Sequence, residues 1–97
     1  MNAYVKNVRI EERTLSLAGE VAEVFVFDWD VHGTGSWATN AKAIREALKR
    51  EIPAVDREWD PSAKRWIVKS DHRDKLARIF DNFIGAIDAL RTSPTLF

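Results

Sequence analysis

Ninety-seven residues, 45% hydrophobic and 31% charged, are the size and composition of a single domain with a modest core, and they argue against global disorder. No apolar run approaches the roughly 20 residues that span a bilayer, the opening Met-Asn-Ala-Tyr-Val-Lys carries no long apolar stretch, and the lack of cysteine removes disulfide and thiolate-metal frameworks; a soluble cytoplasmic protein is expected. The formal net charge is zero, but residues 1–37 hold three Lys/Arg against six Asp/Glu and residues 38–97 hold twelve against nine, which permits a local basic face in the second part of the chain.

Taken in order, Tyr4 to Ile10 reads as a strand, with Tyr4, Val8 and Ile10 on one parity and Lys6 interrupting it. Thr14 to Leu17 alternates briefly before a bend at Ala18-Gly19. Ala22 to Val31 is the strongest strand: Val24 and Val26 point to one side, and Phe25, Phe27 and Trp29 to the other. A strand apolar on both faces belongs in the middle of a sheet with both sides covered. A small domain struggles to cover both, so the Phe25-Phe27-Trp29 face is a candidate protein interface, for a second copy of the chain or another partner.

His32 to Ser36 contains two glycines and reads as a loop. Ser36, Thr39 or Asn40 is placed to cap a helix over about 39–51, with Ile44, Ala47 and Leu48 inward, Lys42, Arg45 and Lys49 outward, and Pro53 ending it. A hairpin follows, with arms of about 54–59 and 65–69 around Asp60-Pro61-Ser62-Ala63. Asp suits the first position of a type I turn, and Pro pre-sets φ for the second. Trp59 and Trp66 flank the turn as a cross-strand aromatic pair. With Ser70 or Asp71 as cap, one continuous helix is expected from His72 to about Arg91, on the stripe Leu76, Ile79, Phe80, Phe83, Ile84, Ile87 and Leu90. Thr92 to Thr95 reads as frayed coil before an apolar Leu96-Phe97.

The expected fold is therefore one α+β domain of about four antiparallel strands, in the order ββαββα, with two helices on one face of the sheet.

Three constellations bear on function. Arg57, Lys64, Arg65, Lys69, Arg73 and Arg78 fall within 22 residues, together with Trp59 and Trp66. Cations neutralise phosphates and aromatic faces stack on unpaired bases, although tryptophans in a small sheet are more often core. Asp28-x-Asp30-x-His32 sets three potential ligands on one side of a strand end, where a divalent metal for nuclease-like hydrolysis is conceivable, but it is the weakest of the three patterns and no metal or cofactor is expected. His32-Gly33-Thr34-Gly35-Ser36 lacks the spacing and lysine of a phosphate-binding loop, no nucleophile–base motif is present, and a non-catalytic protein is expected. The third is the aromatic strand face already described.

The segment from Ala43 to about Phe83 resembles the HARP domain of annealing helicases and related small domains near bacterial and phage helicases. The residues that carry the likeness are Ala47-Leu48-Lys49, Ile52-Pro53, Arg57, Trp59-Asp60-Pro61, Lys64, Trp66, Val68 and Leu76, and it covers about 40 of 97 residues. Asp71-His72-Arg73 departs from the acidic-aromatic pair common at that point in the family. The resemblance implies a substrate-recognition module for branched or single-strand-containing DNA, with Arg57, Lys64 and Arg65 on phosphates and Trp66 holding the hairpin to the last helix. With the flanking cations, the expected nucleic-acid-binding set is Lys42, Arg45, Lys49, Arg57, Lys64, Arg65, Trp66, Lys69 and Arg73. DNA is expected rather than RNA, with a helicase or recombination protein in trans; the alternative is an assembly module, including a homodimer, using strand 24–29.

Overall fold

The computed structural model describes residues 3–31 and 37–92. The elements are β1 (Ala3–Thr14), β2 (Val21–Val31), α1 (Trp37–Glu51), β3 (Arg57–Asp60), β4 (Arg65–Lys69), α2 (Arg73–Ile79) and α3 (Phe83–Thr92). The strands form one antiparallel sheet in the order β1-β2-β4-β3, giving the expected mixed α+β architecture with three helices in place of two. The expected Gly-rich loop at 32–36, a cap by Ser36, the metal role of His32 and the tail from 93 onward with Leu96-Phe97 lie on residues outside those described, while Thr92, expected to begin that coil, ends α3.

Strand parity explains the main core. Phe25 and Phe27 of β2 share a face with Trp66 and Val68 of β4, their register partners, and all three helices pack on that face through Ile44, Leu48, Leu76, Ile79, Phe83 and Ile87. Phe25 meets Phe83 edge-to-face at 5.2 Å between ring centroids, and Phe27 meets Phe80 likewise at 5.5 Å. The expectation that Phe25, Phe27 and Trp29 form a protein interface is corrected here. Both phenylalanines are buried and Trp29 is half-buried against the same core, because the helices choose the larger apolar face of β2.

Among the described residues no helix packs on the opposite face, yet Val24, Val26 and Ile67 are buried there with Leu15. They are covered by the sheet itself. The β1–β2 hairpin is long, and its twist carries the far end across the face. There Leu15 drops onto the valines, the Ser16 amide donates to Glu58 Oε1 of β3 at 2.9 Å, and an Arg13 Nη lies 3.8 Å from Asp60 Oδ2. β1 and β3 are not neighbours in the sheet, so these contacts link its two edge strands across that face. The bend at Ala18-Gly19 holds, with Gly19 at φ +72° and its amide on the Leu15 carbonyl.

A bulge between Lys6 and Arg9, with Asn7 at φ +56°, shifts the β1 register by one residue. Ala3 and Val5 therefore face the helices before it, and Ile10 faces them after it. The shared parity expected for Tyr4, Val8 and Ile10 is broken for that reason.

The continuous helix expected from His72 to Arg91 is interrupted at Phe80–Asn82, where Phe80 turns extended. The break is occupied by β1: the Asp81 amide donates to the Ala3 carbonyl, and the Asn82 side chain accepts from the Val5 amide at 2.8 Å while donating to the Val5 carbonyl at 3.0 Å. Asn82 thus acts as one residue of an extra strand and seals that edge of the sheet. At the other end, a 3-10 turn over Ser70–His72 leads into α2, and no side chain caps it, contrary to the role expected of Ser70 or Asp71.

Candidate nucleic-acid interface

The hairpin forms as its turn residues require, with arms 57–60 and 65–69. Asp60 Oδ1 accepts from the amides of Ser62 and Ala63 at 3.0 and 3.1 Å, which fixes the reversal, and Lys64 completes the loop at φ +56°. Residues 54–56, expected within the first arm, instead make a 3-10 turn after Pro53.

Short as it is, β3 is tied down along its length. At its entry, Asp56 Oδ2 lies 2.8 Å from His72 Nε2, clasping the turn before β3 to the turn after β4. Arg57 Nε donates to the Ile52 carbonyl at the end of α1 at 2.9 Å, and Glu58 and Asp60 make the contacts already described. The remaining β3 side chain, Trp59, lies against Trp66 with ring centroids 5.4 Å apart.

The two tryptophans are register partners on the helix-covered face, but their environments differ sharply. Trp66 is 6% exposed and belongs to the main core, whereas Trp59, on the edge strand, is 45% exposed. Trp66 is therefore corrected from a nucleic-acid contact to a core residue supporting Trp59. Trp59, named with the hairpin cations but left out of the nine-residue binding set, is the exposed member of the pair: cross-strand pairing gives two aromatics one face, and only strand order says which of them sits at the rim.

A groove of about 530 Å³ lies between the outer flank of α1 and this hairpin. Arg45 and Lys49 line it from α1, Arg57 and Trp59 from β3, and Trp29 and Trp66 from the sheet; Leu17, Asp28, Ala54 and Glu58 complete its wall. The helical spacing that turns Ile44 and Leu48 inward carries Arg45 and Lys49 to this flank. Arg45, Lys49 and Arg57 have no carboxylate within salt-bridge distance among the described residues. Of the two carboxylates in the wall, Asp28 pairs with Arg65 at 3.5 Å, and Glu58 holds the Ser16 amide.

The other expected cations are placed elsewhere. Arg65 and Lys69 share the parity of Ile67 and lie on the opposite face, Lys69 3.5 Å from Asp71. There Arg9 and Arg13 both meet Glu11, and Lys6 meets Asp30, so positive charge on that face is offset locally. Arg73 of α2 is 3.8 Å from Asp88 of α3. Lys42 is exposed one turn before Arg45 and pairs with Glu46 at 3.9 Å, and Lys64 is exposed at the hairpin tip. The nine residues expected to act together thus separate: Arg45, Lys49 and Arg57 line the groove beside the core Trp66, Lys42 and Lys64 are exposed outside its wall, and Arg65, Lys69 and Arg73 belong to ion pairs.

Among the described residues no three His, Cys, Asp or Glu side chains gather in a metal-binding arrangement. Asp28 and Asp30 each accept from the next residue's amide, at 2.9 Å in both cases, and each pairs with a cation. None of the helices is long and apolar enough to cross a membrane among the described residues.

Comparisons with known proteins find no matching family model, no matching curated protein and no matching solved structure.

Proposed function

We propose that this chain is a non-catalytic nucleic-acid-binding accessory module that meets DNA through the groove between α1 and the β3–β4 hairpin. In this reading it presents single-strand-containing or branched DNA to a helicase or recombination enzyme on another chain, as the HARP-like segment implies. The observation that carries the proposal is the convergence of Arg45, Lys49 and Arg57, without carboxylate partners among the described residues, around a half-exposed tryptophan. A protein of zero net charge attracts a polyanion only where its cations are locally unbalanced, and the groove is such a place. On the opposite face, where cations and carboxylates alternate, little attraction remains.

The test is fluorescence anisotropy with labelled single-stranded, duplex and forked DNA and with duplex RNA, each at two salt concentrations. Binding is expected to favour a DNA form with unpaired strand and to weaken as salt rises. An Arg45→Ala, Lys49→Ala double variant is expected to lower the log–log salt slope by roughly 1.4 to 1.8, because each phosphate contact contributes roughly 0.7 to 0.9. A folded double variant with unchanged affinity, or no binding to any nucleic acid at low salt, would overturn the proposal. The matched double variant Arg65→Ala, Lys69→Ala is expected to bind almost as the parent does.

A further inference from the structure

We infer that Trp59 is a stacking platform for one unpaired base, with Arg45 and Lys49 holding the phosphates beside it; the inference rests on the nucleic-acid reading above and assigns the aromatic part of the site. Trp59 is a large aromatic that is 45% exposed on an edge strand and lines a groove, so part of its ring is open to a ligand. Its partner Trp66 is almost wholly buried, so one side of the Trp59 indole is supported by the core while the rest faces the groove. The backbone that carries it is tied by the side chains of Asp56, Arg57, Glu58 and Asp60 to His72, to the Ile52 carbonyl, to the Ser16 amide and to Arg13. An indole presented this way loses little entropy on meeting a base, which is the condition for stacking to add affinity.

The alternative role, a cross-strand pair that steadies the hairpin, accounts for the contact with Trp66 but not for the cations that line the same groove. Arg45 and Lys49 reach the groove from α1, across from Trp59, so a strand lying between them places phosphates on one wall and a base on the other. Bases in a duplex are already stacked on both faces and offer only their edges. The platform therefore requires an unpaired base. Stacking is tolerant of sequence because every base has a π face, so no preference among bases is expected.

The experiment titrates the full chain with three labelled ligands of equal length and charge per strand: an ordinary single strand, a strand of abasic sites and a duplex. The ordinary strand is expected to bind roughly tenfold more tightly than the abasic one, at the lower end of stacking strengths measured per base. Trp59→Ala is expected to bring the ordinary strand down to the abasic level while leaving abasic affinity and salt slope unchanged, and Trp59→Phe to recover part of the loss. Equal binding of ordinary and abasic strands by the parent chain would overturn the stacking role and leave phosphate binding standing. So would a folded Trp59→Ala variant that still discriminates between them. Failure of all three ligands to bind at low salt would overturn both readings together. The comparison of ligands on the parent chain needs no variant, so poor folding of Trp59→Ala would not shield the inference.

Discussion

The two faces of the sheet are sealed by different means. One is covered by three helices, and its core gathers aromatic rings from β2, β4 and the α2–α3 segment. The other is covered by the end of the β1–β2 hairpin, which folds Leu15 over Val24, Val26 and Ile67 and is fastened to β3 by Ser16 and Arg13. Among the described residues no helix packs on the second face, and the hairpin end supplies its cover. The consequence for function is mechanical: the fastening that closes the second face also immobilises the edge strand that displays Trp59.

Phe27→Ala should have the largest effect, since it removes a fully buried ring between Phe80 and Phe83: a loss of about 3–5 kcal/mol, read by chemical denaturation, would mark the helix-covered face as the dominant core. Leu15→Ala should cost about 2–4 kcal/mol, near the lower part of the usual range, because a hairpin end relaxes more readily than a helix-covered layer. If Leu15→Ala were neutral, the second face would not depend on the folded-over hairpin, and the comparison would fail. Asn82→Ala should follow at about 1–3 kcal/mol, the cost of leaving Val5 amide and carbonyl groups unpaired, and hydrogen exchange at Val5 should accelerate. Trp59→Ala should change stability least, within about 1 kcal/mol, the upper range for a cross-strand pair. A much larger loss would mean that Trp59 serves the core after all and would weaken its assignment to the groove.

A similar contrast separates the sheet's two edges. At β1 the Asn82 side chain and Asp81 amide occupy the backbone groups of Ala3 and Val5. At β3 the protection is shortness, and side-chain tethers run to α1, to the β1–β2 loop and to the turn after β4. One edge is closed by imitation of a strand, and the other is held rigid beside a groove.

Much of this was legible in residue order. Alternation in Ala22–Val31 separated the valines from the aromatics, Asp60-Pro61 announced the hairpin, and the spacing of Ile44, Ala47 and Leu48 put Lys42, Arg45 and Lys49 outward. These are local properties, set by the period-2 and 3.6-residue geometry of the backbone. What they leave open is which of two apolar faces takes the helices, and which of two paired tryptophans stands at an edge. Those answers depend on contacts between residues far apart in the chain: Ser16 with Glu58, Asp56 with His72, and Asn82 with Val5. The helix break at Phe80–Asn82 was hidden for the same reason, because an unbroken apolar stripe records helical spacing and not the demand of a distant strand for hydrogen-bond partners. Periodicity therefore determined the elements and the sides of each, while tertiary structure decided which sides are buried, which cations are neutralised and where Trp59 meets solvent.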